Sequence, residues 1–165
     1  MLGIGLIVAL LLVKVAILDP QGWLSAARAM QPAAVYGEQI ELLGAQSDES
    51  SIARGATLHV RFFWRASQPV DKDYHVFAQL FDAAGQAVAG SDKQHPGDPV
   101  VQGESPTTRL AADKYLRDEH RIDVPATLAP GRYELRVGWY DPQTGKRLRL
   151  ANGETTLGVM TVDVQ

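Results

Sequence analysis

Two hydrophobic periodicities divide the chain. Positions 2–18 read LGIGLIVALLLVKVAIL, an unbroken apolar run with one charge, Lys14, near its end. Seventeen such residues lie at the short end of what a helix needs to cross a bilayer. Lys14 sits about one helical turn from the end, so its methylenes stay in lipid while its ammonium reaches the headgroups. Asp19-Pro20 and Gly22 then stop the helix, and Trp23 suits the interface. The pattern predicts a single-pass transmembrane anchor over 1–18 and a linker over 19–34. A cleaved secretory signal ending near Ala27-Arg28-Ala29 is the rival reading, and a buried core helix is a third. The anchor is favoured because no basic segment precedes the run, the run exceeds a usual signal core, and the cleavage-like triplet lies well beyond it. Lys and Arg are sparse on both flanks, and the expected orientation places the rest of the chain outside the cytoplasm.

From position 35 onward the pattern changes to alternation, the mark of half-buried strands. Over 57–65, Leu58, Val60, Phe62 and Trp64 share one face, while Thr57, His59, Arg61 and Arg65 share the other. Over 132–140, Tyr133, Leu135, Val137 and Trp139 oppose Arg132, Glu134 and Arg136. Tyr74, Val76, Ala78 and Leu80 form a third apolar face, but His75, Phe77 and Phe81 make its reverse partly apolar too, which predicts a central or covered strand. Weaker strands are expected at 39–45, 86–89, 119–124, 146–150 and 157–164. Turn residues punctuate them at Asp82-Ala-Ala-Gly85, Ala129-Pro130-Gly131 and Asp141-Pro-Gln-Thr-Gly145. About eight short strands and no amphipathic helix predict an all-β domain over 35–165, an antiparallel two-sheet sandwich of Ig-like or jelly-roll-like type. The Pro- and Gly-rich stretch 92–113 reads as a long crossing loop, the kind of segment that carries function on a rigid scaffold.

A net charge of −3 with both signs interspersed lacks the basic stripe that nucleic acid requires, so DNA and RNA are excluded as partners. The absence of cysteine removes disulfides, thiolate metal sites and thiol nucleophiles. The domain is therefore held together by packing alone.

The order of motifs FFWRA, DYHVFAQLFDAAGQAVAGSD, SPTTRL and LAPGRYELRVGWYDPQTGKRL resembles the extracytoplasmic β-sandwich domains that follow the last transmembrane helix of bacterial membrane glycosyltransferases of the dolichyl-phosphate-mannose type, and related membrane-anchored proteins. The resemblance spans roughly positions 36–164 and implies an accessory domain outside the cytoplasm. It carries over no catalytic residue, and the multi-span catalytic portion of such enzymes is missing from this chain.

Candidate chemistry is thin. His59, His75, His95 and His120 fall on different predicted elements with no metal-binding spacing. Asp92, His95 and Asp98 share one loop but lack the alternate ligands of a calcium loop. Ser105 has no nucleophile-elbow context. Asp71 with Asp73, and Asp118 with Glu119, are carboxylate pairs of the kind glycoside hydrolysis uses, and charged loop or strand-face residues account for them equally well. Trp64 and Trp139 are on the inward phase; Tyr133 and Phe77 are further aromatic candidates, and Tyr140 is the ring expected to be exposed. No catalytic residue, metal or cofactor is expected. The expected function is a non-catalytic module or accessory subunit contacting a larger membrane protein complex, with a cell-surface glycan-binding module as the alternative.

Overall fold

The structure is a computed structural model that describes residues 31–165. The expected N-terminal anchor and most of the linker lie outside these residues. No described helix is long and apolar enough to cross a membrane.

The described chain is all-β. Its strands are β1 (Ala34–Tyr36), β2 (Ile40–Ser47), β3 (Ser51–Ile52), β4 (Thr57–Ala66), β5 (His75–Phe81), β6 (Ala87–Lys93), β7 (Gly97–Asp98), β8 (Gly103–Glu104), β9 (Leu116–Asp123), β10 (Gly131–Tyr140) and β11 (Leu157–Val164). One sheet runs β1-β2-β4-β9 and the other β3-β11-β10-β5-β6, with β7 and β8 forming a small ribbon between β6 and β9 in the chain. Pairing is antiparallel throughout except for the short β3–β11 contact.

The alternation explains the core. Leu58, Val60, Phe62 and Trp64 of β4 are fully buried, as are Leu135, Val137 and Trp139 of β10. The two sets meet across the sandwich, where Trp64 and Trp139 pack edge to face with ring centroids 4.8 Å apart. Tyr36 joins them, edge-on to Trp64 and donating its hydroxyl to the Val137 carbonyl at 2.9 Å. Burial pushes that phenol far above its ordinary pKa, so it stays a donor at any working pH. Tyr133 closes the corner at 129–131 by donating to the Ala129 carbonyl at 2.7 Å, a tyrosine-corner arrangement. β5 is interior to its sheet, as its two-sided apolarity predicts, and Phe77 is buried beneath Arg147, whose guanidinium carbon lies 4.4 Å from the ring centre.

Several expectations need correction. The strand expected at 146–150 is reduced to a single bridge between Tyr140 and Arg147, because beyond it Arg149 O takes the N–H of Gly37 and Leu150 N bonds Glu154 O. β6 runs four residues beyond the expected 86–89, and β9 begins three residues before 119. Arg65, expected on the solvent face, is buried against Glu41, with its Nε 2.6 Å from Oε2.

Candidate functional site

Two polar constellations stand out, and both engage the chain between β6 and β9. β6 and β9 are edge strands of opposite sheets, so the sandwich is open where they face each other. Side chains on their inward phases close this gap. Asp118 is fully buried at its centre. Its Oδ2 accepts from Trp64 Nε1 at 3.0 Å and faces His120 Nε2 at 3.1 Å. Its Oδ1 accepts from Gly97 N at 2.9 Å and Lys93 Nζ at 2.8 Å. Burial alone drives this carboxyl's pKa up, but His120, Lys93 and the Gly97 N–H outweigh it and hold the group down to about 2. Lys93 is caged in turn by Gly97 O at 2.6 Å, Glu119 O at 3.1 Å and Glu104 Oε1 at 3.3 Å.

Ser91 Oγ lies 3.1 Å from His120 Nδ1, which completes a serine, histidine and aspartate chain. Because the ionised carboxylate only accepts, His120 Nε2 carries a proton. The residue types match a hydrolytic triad, but the surroundings do not. His120 is fully buried against Phe62, ring centroids 5.3 Å apart, and has no open face from which to hand a proton to a leaving group. The geometry is that of a tie between two sheet edges.

The second constellation fastens the excursion 94–115 to the sandwich. Thr107, fully buried, donates its hydroxyl to Lys72 O at 2.8 Å, accepts from Tyr74 N at 2.8 Å, and donates its own N–H to Asp73 Oδ1 at 3.0 Å. The other Asp73 oxygen faces His95 Nε2 at 2.8 Å. Asp98, also fully buried, accepts from Val100 N at 2.9 Å and Val101 N at 3.2 Å, and lies in ionic contact with Arg117 Nε at 2.9 Å. Gln102 Oε1 accepts from Arg117 N at 2.8 Å. Gly97 cannot be replaced without strain: a Cβ would stand 2.3 Å from the Gly103 carbonyl, and φ is +142°.

This tethered excursion lifts apolar side chains into solvent. Among the described residues the large hydrophobics recorded as exposed are Val100, at 82%, and Val101, at 39%. Beside Val101 opens a pocket of about 450 Å³ whose lining includes Pro106, Leu110, Leu116, Arg109 and Lys114.

The residues singled out from sequence disperse. Among the described residues no three His, Asp or Glu side chains are grouped to hold a metal. His59 pairs with Glu119 and His75 with the Tyr140 hydroxyl. Asp92, His95 and Asp98 share a loop but face Tyr140, Asp73 and Arg117 respectively. Asp71 accepts from the Tyr74 hydroxyl while Asp73 turns to Thr107, and Asp118 and Glu119 fall on opposite phases of β9. Ser105 lines the pocket beside Val101. Tyr140 is half-buried rather than open, with its hydroxyl held by both Asp92 oxygens at 3.0 and 3.1 Å. Trp64 and Trp139 are both core residues. The residues that sequence reasoning missed are Lys93, Thr107 and Arg109.

No family model matches the chain, and no curated protein matches it. Several solved structures share a weak likeness to the chain. A Niemann-Pick type C2 protein from the Japanese carpenter ant is 13% identical with a TM-score of 0.47, over 82% of this chain and 98% of that one. A family 2 glycosyl hydrolase from Bacteroides cellulosilyticus is 12% identical with a TM-score of 0.44, over 76% of this chain but only 15% of that one. The CARDB domain of a Pyrococcus furiosus protein is 11% identical with a TM-score of 0.42, over 77% and 94%.

Proposed function

We propose that this chain is a non-catalytic contact module, held on the membrane by the apolar run at 2–18, whose sandwich presents the excursion 94–115 to a larger membrane protein. The observation that supports it best is the combination of an exposed valine tip with a base fixed by buried Asp98 and Thr107. A loop free to move loses entropy on binding, whereas one already fixed in shape retains more of its contact energy. Apolar groups on a rigid protrusion also lose unfavourable hydration on contact. The glycan-binding alternative has less support, since both core tryptophans are enclosed and Tyr140 is tied down by Asp92.

The test is co-purification of the full-length chain from membranes in mild detergent, comparing wild type with Val100→Asp and Val101→Asp. The expected result is a stoichiometric membrane partner that is lost from both variants while the variants remain folded by circular dichroism. Retention of the partner by both variants would remove the excursion from the contact.

A further inference from the structure

We infer that the pocket beside Val101 receives an acidic residue of the partner polypeptide, flanked there by aliphatic side chains; this rests on the contact-module reading. Two independent features coincide at this pocket. The first is apolar: the exposed Val101 lines the pocket together with Pro106, Leu110 and Leu116. The second is electrostatic: the exposed Arg109 lines the pocket and no carboxylate stands among its described lining residues, in a chain whose net charge is −3. The local sign is thus the reverse of the global one.

The donors at the pocket are Arg109 and Gln102. The Arg109 side chain has no hydrogen-bond or ion-pair partner among the described residues, and its backbone stands two residues after the buried Thr107 anchor. Gln102 spends its amide oxygen on Arg117 N, which leaves its NH₂ as a donor at the pocket wall. A guanidinium forms a planar fork that matches a carboxylate, so an Asp or Glu side chain is the complementary group. The aliphatic lining favours Leu, Ile or Val beside it. An anionic lipid surface is a poorer fit, because such surfaces are held by clusters of roughly four to eight basic residues rather than by a single arginine.

The experiment uses the full-length chain in lipid nanodiscs, panned against a random heptapeptide phage library. The expected outcome is enrichment of Asp or Glu adjacent to Leu, Ile or Val. Synthetic peptides of that sequence should bind Arg109→Glu about tenfold more weakly or worse, in keeping with loss of a charge-assisted pair. Panning Arg109→Glu should shift selection toward Lys and Arg, while Arg109→Lys should keep the acidic preference. Three results would overturn the inference: no acidic enrichment, enrichment that persists unchanged in Arg109→Glu, or Arg109-dependent binding to phosphatidylglycerol vesicles without any peptide selected. Co-purification separates this from the contact reading. If Val100→Asp loses the membrane partner while Arg109→Glu keeps it, the excursion is a contact surface but the pocket takes no acid. If neither variant loses it, the contact reading itself falls.

Discussion

Asp118 offers the sharpest quantitative test of how the sandwich is closed. Its two oxygens take four donors, from Trp64, His120, Gly97 and Lys93, with no water-facing surface. Asp118→Asn keeps the shape but turns an NH₂ toward one pair of those donors, and it removes the charge that balances Lys93. Breaking a buried pair by neutralising one partner costs about 3–5 kcal/mol. The pH dependence gives a second, independent magnitude. The carboxyl is held at about 2 against an ordinary 3.8, which corresponds to roughly 2–3 kcal/mol. A depressed carboxyl contributes this stability fully above its unfolded value, near pH 4 to 5, and the contribution disappears as pH falls through about 2. Urea unfolding of the full chain in non-ionic detergent, followed by tryptophan emission at pH 7 and at stepwise lower pH, reads both quantities. Wild type should lose stability progressively below pH 4, whereas Asp118→Asn should start lower and show a shallower acid slope. An unchanged midpoint in Asp118→Asn at pH 7, or an acid slope identical to wild type, would refute the tie.

The two core tryptophans should behave differently on truncation to Phe. Trp64→Phe leaves Asp118 short of a donor, while Trp139→Phe removes an indole N–H that is buried with no partner, so Trp64→Phe should be the costlier by about 1–3 kcal/mol in the same denaturation assay. Thr107→Val removes hydrogen bonds to Lys72 and Tyr74 and should raise amide exchange across 94–110 with little change in the core strands, as hydrogen-exchange mass spectrometry would show. Gly97→Ala should cost about 1–3 kcal/mol and weaken partner co-purification, because its Cβ meets the β8 backbone and its N–H leaves Asp118. Deleting 1–32 should leave a soluble sandwich with strand-type circular dichroism, since the first described pairing, Ala33 N to Leu42 O, lies after the cut; a chain that fails to fold would make the N-terminal segment part of the core.

Most of the scaffold was legible because each long strand reports its buried face through period-two alternation. β4, β10 and β11 fall where the alternation places them, since Leu58 to Trp64, Tyr133 to Trp139 and the alternate valines Val162 and Val164 leave only one register in which apolar groups go inward. The short strands β1, β3, β7 and β8 carry two or three residues each, too few for a period to show. The strand expected at 146–150 had the right composition and begins to pair, Asp141 N with Lys146 O and Leu148 N with Trp139 O, but Arg149 O then takes the N–H of Gly37 and Leu150 N turns to Glu154 O, so the ladder stops at one bridge.

The site was harder to read for a physical reason. Asp118 and His120 occupy inward positions on β9, which simple patterning treats as a defect in the strand and which in fact marks a polar seam. A charged residue survives there only when another element supplies the opposite charge, and that element, Lys93, lies 25 positions earlier on the facing sheet edge. The same seam orients the excursion: the carboxylate that holds Lys93 also takes the N–H of Gly97, the first residue of β7. Closure of the sandwich and presentation of Val100 are therefore linked through one buried group. Polar residues on the apolar phase of an edge strand, followed by a Gly- and Pro-rich crossing, are the pattern by which such a linkage can be sought in other sandwich sequences.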